Sequence, residues 1–149
     1  NGKWKASNVQ FFDKNNVEIF EMISGEYLRI DVSFEKYEAV DIRKLFFGIA
    51  ILDSQQQKVA AFLSDEMNCD FLRLKSENVI SLIIPQLLLR AGNYSLMLQL
   101  GEGSTLSEDF IDLIENAIYI SVVPGDFWRI GRANRYGEFG IIPGHFEVN

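Results

Sequence analysis

An alternation of apolar and polar residues with a period of two runs through this sequence, and it commits long stretches of the chain to half-buried β-strands. From Tyr27 to Phe34 it sends Leu28, Ile30, Val32 and Phe34 to one face and Tyr27, Arg29, Asp31 and Ser33 to the other. From Asn93 to Leu100 it groups Tyr94, Leu96, Leu98 and Leu100 against Asn93, Ser95, Met97 and Gln99. Each is a strand with one wet side, as in antiparallel sheets packed on a single face.

The remaining strands follow from their punctuation. Phe46 to Leu52 is apolar on both faces, so this strand is central or covered. The polar run Asp53 to Gln57 turns the chain into Lys58 to Leu63, its hairpin partner, and Val79 to Ile84 is ended by Pro85, which cannot donate to a ladder. Ala117 to Val123 places Ile118, Ile120 and Val122 inward and Tyr119 and Ser121 outward, and Pro124 with Gly125 stops it. Near the start, Asn8 to Phe12, the turn-rich Asp13 to Asn16, and Val17 to Phe20 form a hairpin-like passage. Helix is expected only at Asp109 to Asn116, for one or two turns, because Phe110, Leu113, Ile114 and Ala117 recur at spacings of three and four. Seven or so short strands with almost no helix predict an all-β, immunoglobulin-like or jelly-roll antiparallel β-sandwich. The segment from Gly125 to Asn149 is expected to be a long, glycine-rich excursion ending in a short strand at Glu138 to Ile142.

A chain of 149 residues fits a single domain, and 48% apolar residues are enough to fill one core. Cys69 is the only cysteine, which excludes a disulfide framework and permits a reducing compartment. Fourteen basic against twenty-one acidic side chains give a net charge of −7, which repels phosphate backbones, so nucleic acid is not an expected partner. No apolar stretch approaches the ~20 residues needed to cross a bilayer as a helix. Asn1 reads as the cut end of a longer protein, with a partner domain expected before it.

Catalytic chemistry finds little support. One histidine, His145, and one cysteine cannot assemble a metal set, and no nucleophile elbow accompanies the histidine. The acid pairs Asp65 with Glu66 and Glu108 with Asp109 read as solvated loop residues in preference to a glycosidase couple. Gly101 to Ser104 lacks the lysine and following helix of a phosphate-binding loop and reads as a strand connection. Tyr94, just after the turn at Arg90 to Asn93, has the placement of a tyrosine corner, a structural device of sandwich folds. No metal or cofactor is expected.

Several segments in order resemble a known family. They are Ser24, Gly25 and Glu26 leading into the strand to Phe34; Phe47 to Asp53; Ile84 and Pro85 with Leu87 and Leu89; Gly92 and Tyr94; Glu115 to Ala117 ahead of the next strand; and Gly131 to Gly137. Together they resemble the C-terminal domain of Wzt, the nucleotide-binding subunit of O-antigen polysaccharide ABC exporters. Gly144, His145 and Phe146 depart from that pattern, in which the histidine is followed closely by a tryptophan.

The resemblance implies a domain that follows an ATPase domain. It implies action in the cytoplasm at the inner face of the inner membrane, where the partner is the transmembrane exporter subunit. It also implies non-catalytic recognition of finished O-antigen polysaccharide and a homodimer in which the C-terminal strand is exchanged, with residues 125–149 as hinge and exchanged strand.

Glycan recognition needs amides and hydroxyls to pair with sugar hydroxyls and an aromatic face to cover a pyranose ring. The first candidate face carries Asn93, Ser95, Gln99, Tyr119 and Ser121. The second carries Tyr27, Arg29, Asp31 and Ser33, where Arg29 offers a bidentate contact to an acidic sugar. Trp128, Arg129, Arg132, Arg135 and Tyr136 are assigned to hinge and dimer packing. The competing expectations are a structural dimerisation sandwich with no ligand of its own and, last, a glycan-processing enzyme.

Overall fold

The computed structural model describes residues 4–36, 41–69, 71, 78–103 and 110–149, and of residues 110–117 the backbone alone. It contains eight strands among these residues: β1 Trp4–Phe12, β2 Met22–Ile23, β3 Leu28–Lys36, β4 Leu45–Leu52, β5 Lys58–Leu63, β6 Val79–Ile84, β7 Gly92–Glu102 and β8 Phe110–Val123. They form a three-stranded sheet in the order β1-β3-β6 and a five-stranded sheet in the order β2-β8-β7-β4-β5. Every pairing is antiparallel except that of the two-residue β2 with the end of β8.

The alternation decides what lies between the sheets. Leu28, Ile30, Val32 and Phe34 of β3 are buried against Phe47, Ile49 and Ile51 of β4 and Leu96, Leu98 and Leu100 of β7. Full burial of each such side chain is worth about 1.5–3 kcal/mol. Phe34 meets Phe47 edge-on at 5.6 Å and 85°, the arrangement the ring quadrupoles favour. β4 is buried at all eight positions, as its doubly apolar sequence requires.

Two expectations are corrected and one is met. Phe110 to Asn116 is strand, not helix, while Asp109 lies outside the described residues. The cause is visible in the register: Leu96 and Leu98 of β7 pair with Ile118 and Ile114 of β8, so β8 carries two extra residues there and its period-two pattern is broken. The passage from Asn8 to Phe20 is hairpin-like as expected: an antiparallel bridge joins Phe12 to Glu18, Asp13 N–H donates to Val17 O and Ile19 N–H to Phe11 O, although Val17 to Phe20 is too short of partners to count as a strand. Asp13 still makes the expected turn, its carboxylate accepting from the backbone N–H groups of Asn15 and Val17. Finally, residues Glu138 to Ile142 form no strand. They lie along Leu88 to Ala91 of the same chain, where Arg90 N–H donates to Phe139, Ile141 N–H to Leu88, and isolated bridges join Leu89 to Gly140 and Ala91 to Tyr136.

The tyrosine corner is present. Tyr94, buried, donates its hydroxyl to the Arg90 carbonyl at 2.7 Å, with the Gly137 carbonyl at 3.3 Å. Burial, aided by the charges of Glu138 and Asp53, pushes its ionisation up to about 12. Ser24 and Gly25 tie the chain before β3 to the turn before β7: the Ser24 hydroxyl donates to Leu89 O, and Gly25 N–H to Leu87 O. Gly125 admits no side chain, since a Cβ there would lie 2.1 Å from the Ser24 carbonyl oxygen.

Candidate functional site

At one end of the five-stranded sheet the β4–β5 turn, the first residues of β7 and the last of β8 meet. Cross-strand pairing sets Asn93 opposite Ser121 and Ser95 opposite Tyr119. Four of the five residues on the first candidate face are therefore direct neighbours. Gln99 lies on the same face of β7 two pleats further on, opposite Gly48 of β4.

The expectation for Ser95 is corrected. It is only 3% exposed, set in the central strand β7 between Leu52 of β4 and Tyr119 of β8, so it does not offer its hydroxyl at the surface. Tyr119, by contrast, is 78% exposed. Asn93 is exposed and Ser121 half-buried, and no side-chain hydrogen bond joins either to other described residues.

Asn93 and Ser121 open onto a cleft of about 490 Å³ whose other walls are Ser54 of the β4–β5 turn and Tyr136, Gly137 and Glu138. Tyr136 is 71% exposed. Glu138 organises this end. One carboxylate oxygen accepts from the Ser54 N–H at 2.8 Å and from the Ser54 hydroxyl, and the other receives the Asn93 N–H at 3.4 Å. The Ser54 bonds hold the Glu138 carboxyl below the usual carboxylate range. Gly92 is required beside it, because a Cβ there would come 2.7 Å from Glu138 Cγ.

Of the residues lining this cleft, Asn93 and Ser121 belong to the first candidate face, Tyr136 to the cluster assigned to hinge packing, and Ser54 and Glu138 to neither. Ser54 and Glu138 stand 84 residues apart in irregular segments, where no periodicity brings them together. The signal available was Gly92, a glycine opening a strand, which often marks the close approach of another segment.

The second candidate face lies on the outside of the three-stranded sheet, and its charged pair is satisfied within the chain. Arg29 Nε donates to Asp31 at 3.1 Å, its Nη2 to the Asn16 side chain at 2.6 Å, and its guanidinium sits 4.4 Å from the centre of the Phe12 ring. Asp31 also accepts from the Ser81 hydroxyl at 2.7 Å. Tyr27 and Ser33 are half-buried on the same face.

The loop after β8 is closed on itself. Asn134 N–H donates to Gly125 O, Phe127 N–H to the Asn134 side chain, and the Asp126 carboxylate accepts from the backbone of Ile130 and Gly131. Those bonds, led by that from Ile130, lower the Asp126 ionisation. Arg129, Arg132 and Arg135 are exposed and do not line the cleft. His145 is exposed and 3.4 Å from Glu147. Among the described residues no group of three metal-ligating side chains occurs and no helix is long and apolar enough to cross a membrane.

The model of the Wzt C-terminal domain family matches residues 1–137. Among solved structures, the crystal structure of the C-terminal domain of Wzt superposes with a TM-score of 0.73 at 12% identity, covering 99% of this chain and 86% of that one, which shows a shared fold. A Bifidobacterium dentium beta-glucuronidase complexed with coumarin-3-O-glucuronide gives a TM-score of 0.43 at 13% identity, over 80% of this chain and 18% of that one. No curated protein sequence matches the chain.

Proposed function

The chain belongs to the Wzt C-terminal domain family, and on that premise we propose that the cleft at the end of the five-stranded sheet binds O-antigen polysaccharide without altering it. The family is a non-catalytic domain of a subunit of the O-antigen ABC transporter. One observation carries the reading: an exposed amide, Asn93, a hydroxyl, Ser121, and an exposed aromatic ring, Tyr136, line one cleft, and a second exposed ring, Tyr119, stands two residues along β8 from Ser121, outside the cleft lining. Those are the groups that pair with sugar hydroxyls and cover a pyranose ring.

Gln99 extends the site along β7, and the Arg29 face takes no part, since Asp31 and Asn16 hold its guanidinium. The domain selects the polymer, and the transporter's ATPase domain, which precedes it in the parent protein, supplies the power at the cytoplasmic face of the inner membrane. Affinity is modest, because an open polar cleft buries little apolar area and desolvates many hydroxyls.

A second reading, dimerisation through the C-terminal segment, has its own support. Ile142, Phe146 and Val148 stand exposed beyond the docked Ile141, an apolar strip that a second copy of the chain would cover. Saturation-transfer NMR against the O-polysaccharide of the source organism tests the first reading. Transfer to the polymer with no change in its length supports it; silence with the cognate polymer overturns it and leaves the dimerisation role. Deleting residues 142–149 separates the two, with loss of dimer and retained glycan binding expected.

A further inference from the structure

We infer that the cleft selects neutral polysaccharides over acidic ones and that Glu138 is the residue that sets this preference; the inference rests on the glycan-binding reading above. None of the described residues lining the cleft is lysine, arginine or histidine, and the one charged group among them is the Glu138 carboxylate. Asp53 adds a second negative charge close by, at the turn that carries Ser54, with its own carboxylate accepting from Gln55 and Gln57 N–H. Two arginines are engaged away from the cleft. Arg29 is paired with Asp31 on the other sheet, and Arg90 lies against the Phe139 and Trp128 rings.

The carboxylate is also fixed in place. Two bonds from Ser54 occupy one oxygen, whereas the other receives only the long Asn93 contact and keeps acceptor capacity toward the cleft. A sugar hydroxyl donating to that oxygen makes a charge-assisted bond. A uronate or phosphate in the same place meets a fixed like charge with no cation among the described residues lining the cleft. Neutral hydroxylated residues are therefore admitted and acidic ones turned away.

The test uses this chain and the O-polysaccharide of the source organism in two forms with one backbone. One form is neutral, carboxyl-reduced where it carries uronates. The other is oxidised at its primary alcohols to uronates. The neutral form is expected to bind at least roughly tenfold tighter at low salt, the scale of one unscreened charge contact near a surface, and the gap to narrow as salt rises. In Glu138→Gln, with an unchanged circular dichroism spectrum, the gap should shrink toward unity. Equal binding of the two forms, or tighter binding of the acidic one, overturns the neutral selectivity and leaves glycan recognition standing. A gap that persists in Glu138→Gln overturns the assignment to that residue. Binding of neither form overturns both readings.

Discussion

On the outside of the three-stranded sheet, Arg29 is held by Asp31, Asn16 and the Phe12 ring, and Asp31 in turn by Ser81. At the end of the five-stranded sheet, Asn93 and Tyr136 face solvent around a cleft, with the exposed Tyr119 on the same sheet face beside Ser121. The two regions draw on similar residue types. One spends its hydrogen-bonding capacity inside the chain and so contributes to stability; the other leaves it for a ligand. Polar residues alternating on a wet sheet face do not by themselves mark a site. What marks one is the fraction of their donors and acceptors left unclaimed after folding.

The contrast can be broken by mutation. The largest expected effect is that of Arg29→Ala, which removes charge-assisted bonds from a half-buried pair and should cost about 1.5–3 kcal/mol of stability, with glycan binding unchanged. Chemical denaturation alongside saturation transfer checks both halves. Loss of binding at native stability would move the site to that face. Tyr119→Ala should do the reverse, weakening glycan binding about tenfold, or about 1.4 kcal/mol, while stability stays within about 0.5 kcal/mol, the usual range for exposed positions.

Tyr94→Phe tests the frame beneath the cleft. It should cost about 1 kcal/mol for the lost bond to Arg90 O and abolish the late-titrating tyrosine, whose ultraviolet ionisation should fall near pH 12 in the native protein. The sign follows from a raised folded-state value: the contribution is complete below the ordinary tyrosine range near 10 and is lost as pH rises through about 12.

The smallest effect is acidic. Glu138 ionises below its ordinary value near 4.5, so what it contributes is present above that value and lost as pH falls through its lower, folded-state one. Protection of the Ser54 and Asn93 amides, measured against their intrinsic exchange rates at each pH, should fall over that window in the native chain and not in Glu138→Gln.

Much of the fold was legible because turn chemistry bounded the strands. β5 and β6 match their expected limits, one preceded by the polar run at Asp53 to Gln57 and the other closed by Pro85. β8 was misread because its two extra residues opposite Leu96 and Leu98 mimic helical spacing. β2 was missed because a two-residue parallel contact has no period to detect. The site was half legible for the same reason. Asn93, Tyr119 and Ser121 lie on strands, where pleat and register convert sequence into neighbours, whereas Ser54 and Glu138 meet only through the folded path of two irregular segments.

Tyr94 has one hydroxyl proton for two carbonyls, Arg90 O at 2.7 Å and Gly137 O at 3.3 Å. The nearer carbonyl keeps that proton whether or not the farther one is there. Removing the C-terminal segment would therefore leave the Tyr94 hydroxyl bonded, and the loss would fall instead on the Arg90 N–H, which donates to Phe139 O, and on the buried Ile141. The tyrosine corner is thus a bond of the sandwich itself, while the end of the chain is held by its own backbone pairing along Leu88 to Ala91.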